Sequence, residues 1–482
     1  MASPPPGIYD SFTEQGLFWL VDNWDDKVPG SLSYDPENGA VLKLVGIFGE
    51  LQDTFNRAFS GSNRDKDAVI HGVTMKGKPI SLLHAHDTNR QLNMPGIPHE
   101  TWTSNLLVIG AHITSAADEA IFTKSYFRFD EIESWLEHSP FTQTLNPEAK
   151  TLNVFAEKPR EVAFASHADF DVTSVGSLYS DNTSATRYVI DVPSQMAITP
   201  RKPQSLNWHL DRAVGLQELA SLCTGHFLSF TSFELRGPEV ELGGGGTRPA
   251  EVHFYARMIH GEARTKTPSK RRTPIVTGPE LNRFNPHAVQ VWFDQFEDFS
   301  PALRLFFTIT AEREMFTNIR LLLAIQALEV LHRRTSGETV MAEEDFGKFR
   351  EAMVTNIPSE TDTAMREKLE ALYRFANEPS LKQRLRSIVT SLTEAFGETP
   401  GGFNGKFIRK LVDTRKYYTH FSEELVGRIL DGEGIYCATR RVVLLLTLLF
   451  LQRLGLEAND IKPLLERHRE FAQLWAKAER PS

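Results

Sequence analysis

Cysteine is nearly absent from this sequence. The 482 residues include only two, Cys223 and Cys437, and these lie far apart along the chain. Two distant cysteines argue against a disulfide framework and against a cysteine-ligated zinc site. Such scarcity is typical of proteins that stay in a reducing compartment, so we expect a cytoplasmic protein.

An excess of positive charge is also absent. The formal net charge is -9 at pH 7. A strongly basic chain would indicate nucleic-acid binding over a broad surface. The net negative charge argues against binding over a broad surface, so any contact with a nucleic acid must come from a local basic patch.

Long hydrophobic runs are missing as well. The longest, Val442–Leu451, covers half of the roughly 20 residues that a membrane-spanning helix needs. Arginines flank it at Arg440, Arg441 and Arg453. The first residues have neither the basic nor the apolar region of a signal peptide. We therefore predict that this run is a buried core helix and that the protein has no membrane partner.

Several catalytic signatures are absent. The sequence contains no GxSxG nucleophile elbow and no HExxH zinc motif. His84 and His86 stand two residues apart on a predicted strand, beside Asp87. Such a pair can hold a metal, with His99 or Glu100 as a further ligand, but isolated pairs are common without one. We predict no metal and no cofactor.

The chain changes character near residue 285. Before it, short alternating apolar runs are separated by turn residues, and "GSLSYDPENGAVLKLVGIF" predicts a hairpin around the "DPENG" turn. After it, the apolar period is helical, punctuated by "NIPSE", "NEPS" and "GETPGG". The predicted fold class is α+β and multidomain. Residues 1–284 form an antiparallel β-rich domain, sandwich- or barrel-like, and residues 285–482 form an all-α bundle.

A basic loop lies near the end of the β-rich region. "TPSKRRTP" (267–274) carries Lys270, Arg271 and Arg272 between helix-breaking residues. A solvated loop is the first interpretation. The alternative is a patch that contacts phosphates without reading sequence.

The stretch "DTRKYYTHF" (413–421) places Arg415 and His420 on one predicted helix, which extends from Phe407 to Leu430. At 100° per residue, Arg415 lies on the flank of the apolar face and His420 points about 140° away from it. An ideal helix therefore does not bring the two side chains together directly. The predicted core stripe consists of Phe407, Leu411, Thr414, Tyr418, Phe421 and Leu425.

A second helix carries a polar seam. In "RLLLAIQALEVLHRR" the seam is formed by Gln326, Glu329 and Arg333, at spacings of three and four residues. A carboxylate in so apolar a helix needs a cationic partner. We expect Arg415 to be the partner of Glu329, with Arg333 as the alternative at i,i+4.

The spacing Arg415-x4-His420, late in a helical bundle, resembles the R-x4-6-H motif of HEPN ribonucleases. "FIRKLVDTRKYYTHF" and "IQALEVLHRR" resemble the HEPN domain of the ApeA anti-phage family. In the first half of the chain, "GLFWLVDNWDDKVPGSLSYDPENGAVLKLVGIF", "NLLVIGAHI" and "YFRFDEIESWL" resemble the ApeA N-terminal domain. The resemblance covers most of the chain in the right order.

This resemblance implies a metal-independent endoribonuclease that cleaves RNA on phage infection and leaves a 2′,3′-cyclic phosphate. His420 would act as general base or acid and Arg415 would stabilise the phosphorane. Glu329 and Lys416 would support the site, and RNA contacts would come from Lys410, Lys416 and Tyr417. The implied partners are RNA, such as tRNA or another structured RNA, a phage-derived trigger read by the N-terminal domain, and a second copy of the chain in a homodimer or larger homo-oligomer.

One residue departs from the family pattern. A small polar residue, often Asn, usually follows the motif arginine, whereas this chain has Lys416. Two alternatives stay open, and Lys416 together with the acidic overall charge favours the first of them. One is a catalytically inactive HEPN scaffold that binds RNA or a protein partner. The other is a ligand-binding β domain joined to an unrelated helical dimerisation module.

Overall fold

A computed structural model provides the fold of the chain. It describes residues 6–49, 67–91, 95–184, 186–241, 245–257, 273–311 and 314–476. The basic loop residues Lys270, Arg271 and Arg272 lie outside the described residues.

The chain divides into two compact units. The first comprises residues 1–221, 228–272 and 277–279; the second comprises residues 222–227, 273–276 and 280–482. The units alternate in sequence at two places, around residues 222–227 and around residues 273–279. The boundary predicted between residues 284 and 285 stays a prediction.

The N-terminal unit is built on antiparallel β-structure, as the sequence predicted. In the part of the chain that the structure describes, thirteen strands form one sheet with the order β11-β12-β15-β8-β16-β17-β7-β5-β4-β1-β2-β3-β6. An additional pairing of β5 with β6 closes six of these strands into a barrel. The strands are β1 Phe12–Leu20, β2 Val28–Asp35, β3 Gly39–Leu44, β4 Ala68–Thr74, β5 Pro79–Gln91, β6 His99–Ser104, β7 Leu106–Ile109, β8 Lys124–Phe129, β9 Phe141–Asn146, β10 Thr151–Ala156, β11 Val162–Ser166, β12 Phe170–Gly176, β13 Tyr179–Ser184, β14 Arg187–Asp191, β15 Ser194–Pro200, β16 Phe230–Glu241 and β17 Thr247–Ala256.

Alternation of apolar residues explains the barrel. The predicted hairpin is confirmed: β2 pairs with β3 from Gly30 opposite Leu44 to Asp35 opposite Gly39. Successive side chains of a strand point to opposite faces, so every second residue enters the barrel core. The core residues include Phe18, Leu32, Leu42, Ile70, Leu82 and Trp102.

Two helices interrupt the β-structure. They are α1 (Ile132–Trp135) and α2 (Leu206–Thr224). Inside α2, the ring of His209 is fully buried and lies within hydrogen-bonding distance of Ser125 Oγ (3.0 Å) and the Phe122 carbonyl (3.2 Å). Burial lowers the pKa of His209 to about 4. This histidine is therefore neutral at physiological pH and has a structural role.

The C-terminal unit is helical. Its described helices are α3 Gly278–Phe284, α4 Ala288–Asp294, α5 Phe296–Ala311, α6 Thr317–Ser336, α7 Glu343–Thr355, α8 Thr363–Arg374, α9 Leu381–Phe396, α10 Gly405–His420, α11 Gly432–Arg453, α12 Ala458–Glu466 and α13 Arg469–Ala476.

Helix α11 contains the longest apolar run of the chain. By length and composition it could cross a membrane, but 61% of its most apolar stretch is buried within the chain. The Phe450 ring packs against Phe299 and Phe306 of α5, with ring centroids 6.3 and 5.6 Å apart. This burial is what the sequence predicted for a core helix.

We expect Leu42→Ala to destabilise the barrel by about 2–5 kcal/mol, because it removes a fully buried side chain and leaves a cavity. The measurement is urea denaturation followed by circular dichroism. The neighbouring Lys43 side chain is exposed on the same strand, so Lys43→Ala is the control and should change stability by less than about 0.5 kcal/mol. Equal effects of the two substitutions would contradict the assigned strand register.

Candidate functional site

Helix α10 carries the arginine and the histidine of the predicted motif. It begins after Asn404, whose side chain caps it by accepting hydrogen bonds from the backbone amides of Lys406 (3.1 Å) and Phe407 (2.9 Å). It ends at His420, because Phe421 adopts a left-handed conformation with φ of +51°. Arg415 and His420 therefore both lie on one unbroken helix.

The predicted helix was too long. Instead of continuing to Leu430, the chain leaves α10 at Phe421 and forms a 3-10 turn over Glu423–Arg428. The segment then folds back on α10: the Leu430 amide donates to Thr414 Oγ1 at 2.9 Å, and Arg428 lies 3.1 Å from the Asp413 carboxylate. These long-range contacts replace the helical hydrogen bonds that the sequence pattern favoured.

The predicted core stripe is correct only in its middle. Leu411 and Thr414 are fully buried, but Phe421 is 67% exposed. The helical period no longer applies to Phe421, since the chain turns there. The Phe421 ring instead joins Tyr417 and Tyr418, with ring centroids 5.6 and 6.3 Å away. The end of the helix therefore presents a partly exposed aromatic cluster.

Arg415 lines a cleft within the helical unit. The cleft has a volume of about 540 Å³ and is bounded by residues of α5, α6 and α10. The polar seam predicted on α6 forms one side of it. The lining residues are Pro301, Leu322, Gln326, Glu329, Val330, Arg333, Arg334, Arg415 and Thr419.

The expected ion pair between Glu329 and Arg415 is not formed in this chain. Glu329 lies 3.7 Å from Arg333, the i,i+4 alternative. The expectation was wrong because Glu329 is only partly buried, so it does not need a second cation from another helix. Within the described part of the chain, no carboxylate pairs with Arg415. Its guanidinium is half-buried and available to an anion that enters the cleft.

Charge pairs continue from the cleft into the helical core. Arg333 also pairs with Glu378 at 2.9 Å, and Glu378 pairs with Arg384 at 3.2 Å. Arg384 is only 3% exposed and lies beside the His332 ring, with 3.4 Å between Nη1 and Nδ1. Burial lowers the pKa of His332, although nearby Glu338 opposes this shift. Sequence analysis missed this network, because its members meet only through folding.

His420 lies apart from the Arg415 cleft. It is exposed at the last position of α10, and it is not among the residues that line the cleft. Lys410 and Lys416 are also exposed, and Tyr417 is half-buried in the aromatic cluster. A single chain therefore places the arginine and the histidine on different sides of one helix.

The histidine pair of the N-terminal unit contacts a residue that the sequence analysis did not single out. His84 Nδ1 lies 2.9 Å and His86 Nε2 lies 3.2 Å from the carboxylate of Asp67. Glu100 cannot complete a metal site with them, because it is fully buried and paired with Arg90 at 2.7 Å. Both histidines therefore contact one exposed aspartate, and Glu100 contributes nothing to this cluster.

A second cavity lies on the barrel. This groove has a volume of about 760 Å³ and lies against β1, β2, β3 and β4. Among its lining residues, Leu17, Val45, Met75 and Ile97 are exposed apolar side chains. The titratable groups along it are Lys43 and His99. The groove therefore offers mainly apolar contact area and few groups that could take part in a reaction.

Comparison with protein families gives two matches. The model described as "ApeA N-terminal domain 1" matches residues 13–286, and the model described as "Apea-like HEPN" matches residues 322–460. The second match contains the cleft residues of α6 and all of α10. The comparisons with curated proteins and with solved structures found no match.

We expect Thr414→Val to loosen the segment after α10. The substitution removes the acceptor of the Leu430 amide, which costs about 1–2 kcal/mol and should speed hydrogen exchange at that amide by roughly 5- to 30-fold. Nuclear magnetic resonance or mass spectrometry measures this rate. Thr419→Val is the control, since the exposed Thr419 hydroxyl donates only to the Arg415 carbonyl of its own helix. An unchanged rate at Leu430 in Thr414→Val would contradict the fold-back contact.

Proposed function

Because the chain belongs to the ApeA family, we propose that it acts in anti-phage defence by cleaving RNA with its HEPN domain. The cleavage is endonucleolytic and independent of metal. The observation that carries this proposal is the half-buried Arg415, which has no carboxylate partner in the described residues and lines a cleft within the matched HEPN region.

The cleft favours a phosphate. Arg415, Arg333 and Arg334 contribute three positive charges and Glu329 one negative charge, which gives a local net charge of +2 (3 - 1). Arg333 is already paired with carboxylates, and Arg334 donates to the carbonyls of Glu297 (2.9 Å) and Asp298 (3.0 Å). Arg415 is therefore the guanidinium best placed to grip two phosphate oxygens.

The proposed reaction is a transesterification at phosphorus, in which the 2′-oxygen replaces the 5′-oxygen. His420 takes the proton of a ribose 2′-OH as the oxygen attacks the adjacent phosphorus. Arg415 stabilises the negative charge that develops on the phosphorane oxygens. The bond from phosphorus to the 5′-oxygen breaks, that oxygen takes a proton from water, and His420 returns its own proton to the solvent. The products are a 2′,3′-cyclic phosphate and a 5′-OH.

In this proposal a second copy of the chain brings a His420 side chain close to an Arg415 side chain. Since Arg415 and His420 diverge by about 140° on a regular helix, we assign them to one composite site formed where two α10 helices meet in a homodimer. The exposure of His420 and of the neighbouring Phe421 supports this arrangement.

The RNA is gripped around this site by exposed groups of α10. Lys410 and Lys416 are free to contact phosphates, and the ring of Tyr417 extends the aromatic cluster on which an unpaired base can stack. These contacts suit a structured RNA with an unpaired region, such as a tRNA. In this proposal Glu329 acts through Arg333 and the charge of the cleft, and the N-terminal domain senses a phage-derived trigger in the cytoplasm.

Two observations favour a second function. Lys416 follows the motif arginine, where the family usually has a small polar residue, and a single chain keeps Arg415 and His420 apart. A catalytically inactive HEPN scaffold that binds RNA through the same basic helix fits both facts. Cleavage assays on the variants below distinguish the two functions.

We expect His420→Ala to lower the cleavage rate by about 10²–10⁴-fold, the usual contribution of a general acid or base. Its thermal stability should match the wild type, because the side chain is exposed. Cleavage is measured with purified protein in EDTA, by sequencing RNA ends. His287→Ala, at another exposed histidine of the helical unit, is the control. Wild-type cleavage by His420→Ala would exclude this catalytic assignment, and RNA binding without cleavage by the wild type would support the scaffold.

We expect Arg415→Lys to lose roughly tenfold or more of the cleavage rate, although the positive charge remains. An ammonium group cannot grip two phosphate oxygens in the planar, bidentate way of a guanidinium. Arg409→Lys, at an exposed arginine of the same helix, should cleave at the wild-type rate. Full activity of Arg415→Lys would show that a point charge is sufficient and that the planar, bidentate contact of the guanidinium is not required.

A further inference from the structure

Three potential metal ligands meet on one face of the N-terminal sheet. Glu234 of β16 lies directly opposite His253 of β17 in the antiparallel register. Glu251 precedes His253 by two residues on β17, so its side chain points to the same face. One carboxylate oxygen of each glutamate and one ring nitrogen of His253 all lie within 4.8 Å of one another.

His253 is the unusual member of this cluster. It is only 8% exposed, yet its ring has no hydrogen-bond partner among the residues that the structure describes. Burial lowers the pKa of His253, although nearby Glu234 opposes this shift. A ring nitrogen of histidine is a common metal ligand, and this one lies within 4.8 Å of a carboxylate oxygen of each glutamate.

A neighbouring arginine pairs with one of the two glutamates but leaves that carboxylate able to make a further contact. Arg236 forms an ion pair with Oε1 of Glu234 and stacks over the Tyr126 ring at 4.8 Å. A carboxylate has about four lone-pair positions, so Glu234 keeps capacity for another contact. Glu251 is exposed and has no ion-pair partner among the described residues.

We propose that Glu234, Glu251 and His253 bind a zinc-class divalent cation, with water in the fourth position. Zinc binds imidazole nitrogen and carboxylate oxygen at about 2.0–2.2 Å, and sites with three protein ligands hold water in the fourth position. Tetrahedral bonds of this length place ligand atoms roughly 3.3 Å apart. The long glutamate side chains can make that approach by rotation, while the buried histidine stays in place.

The cation would fasten β16 to β17 near a bulge, where the register shifts between Arg236 and Glu239. Binding to the folded state alone would stabilise the N-terminal unit by mass action. The site contains no residue of α10, so this inference is independent of the proposed RNA cleavage.

The test uses the full chain without a histidine tag, stripped with chelator and titrated with zinc chloride by calorimetry. We expect one equivalent of zinc to bind and to raise the unfolding temperature. Glu251→Gln should raise the Kd for zinc at least tenfold, and the fold should persist because Glu251 is exposed. His253→Ala should abolish binding, with folding checked by circular dichroism.

Two control variants sharpen the test. Glu239→Gln removes an exposed carboxylate of the same strand and should bind zinc like the wild type. His84→Ala breaks the pair that contacts Asp67 and should also bind normally. The proposal is overturned if the wild type does not bind zinc, if Glu251→Gln binds as tightly as the wild type, or if only His84→Ala loses binding.

Discussion

Helix α10 is held at both ends, and the candidate site depends on that constraint. The Asn404 side chain fixes its start, and the left-handed Phe421 fixes its end. The segment that follows is tied back to Thr414 and Asp413 inside the same helix. The angle between Arg415 and His420 is therefore set by backbone geometry, which is why the proposed chemistry requires a second copy of the chain.

The local charge of the cleft contrasts with the charge of the whole protein. The chain carries a net charge of -9, yet three arginines meet around a cavity of about 540 Å³. Partial burial weakens the screening of such charges by water and salt. An acidic protein can thus attract a polyanion at one place while most of its surface repels it.

The sequence was most informative where local pattern decides structure. Alternating apolar residues and the "DPENG" turn predicted the β2–β3 hairpin. The polar seam of Gln326, Glu329 and Arg333 was also visible in the sequence, and it lines the cleft. Prediction failed where contacts between distant residues decide. The end of α10 depends on a left-handed phenylalanine, a conformation that sequence patterns associate with glycine.

The ion-pair partners of charged residues could not be predicted from the sequence either. Asp67 joins His84 and His86 through the pairing of β4 with β5, which no local spacing reveals. Glu329 took the partner on its own helix rather than the one expected across the cleft. Both outcomes depend on burial, because an exposed or half-buried charge has water as an alternative partner.

The Glu378 carboxylate forms ion pairs with two arginines at the same time. Its Oε2 atom lies 2.9 Å from Arg333 and 3.2 Å from Arg384. Arg384 is buried and needs a counter-charge at all times, whereas Arg333 is half-exposed and can turn to another anion. An anion in the cleft competes for Arg333 and leaves Glu378 to Arg384 alone. Anion occupancy of the cleft and the Arg333–Glu378 ion pair are thereby thermodynamically linked, so that each weakens the other.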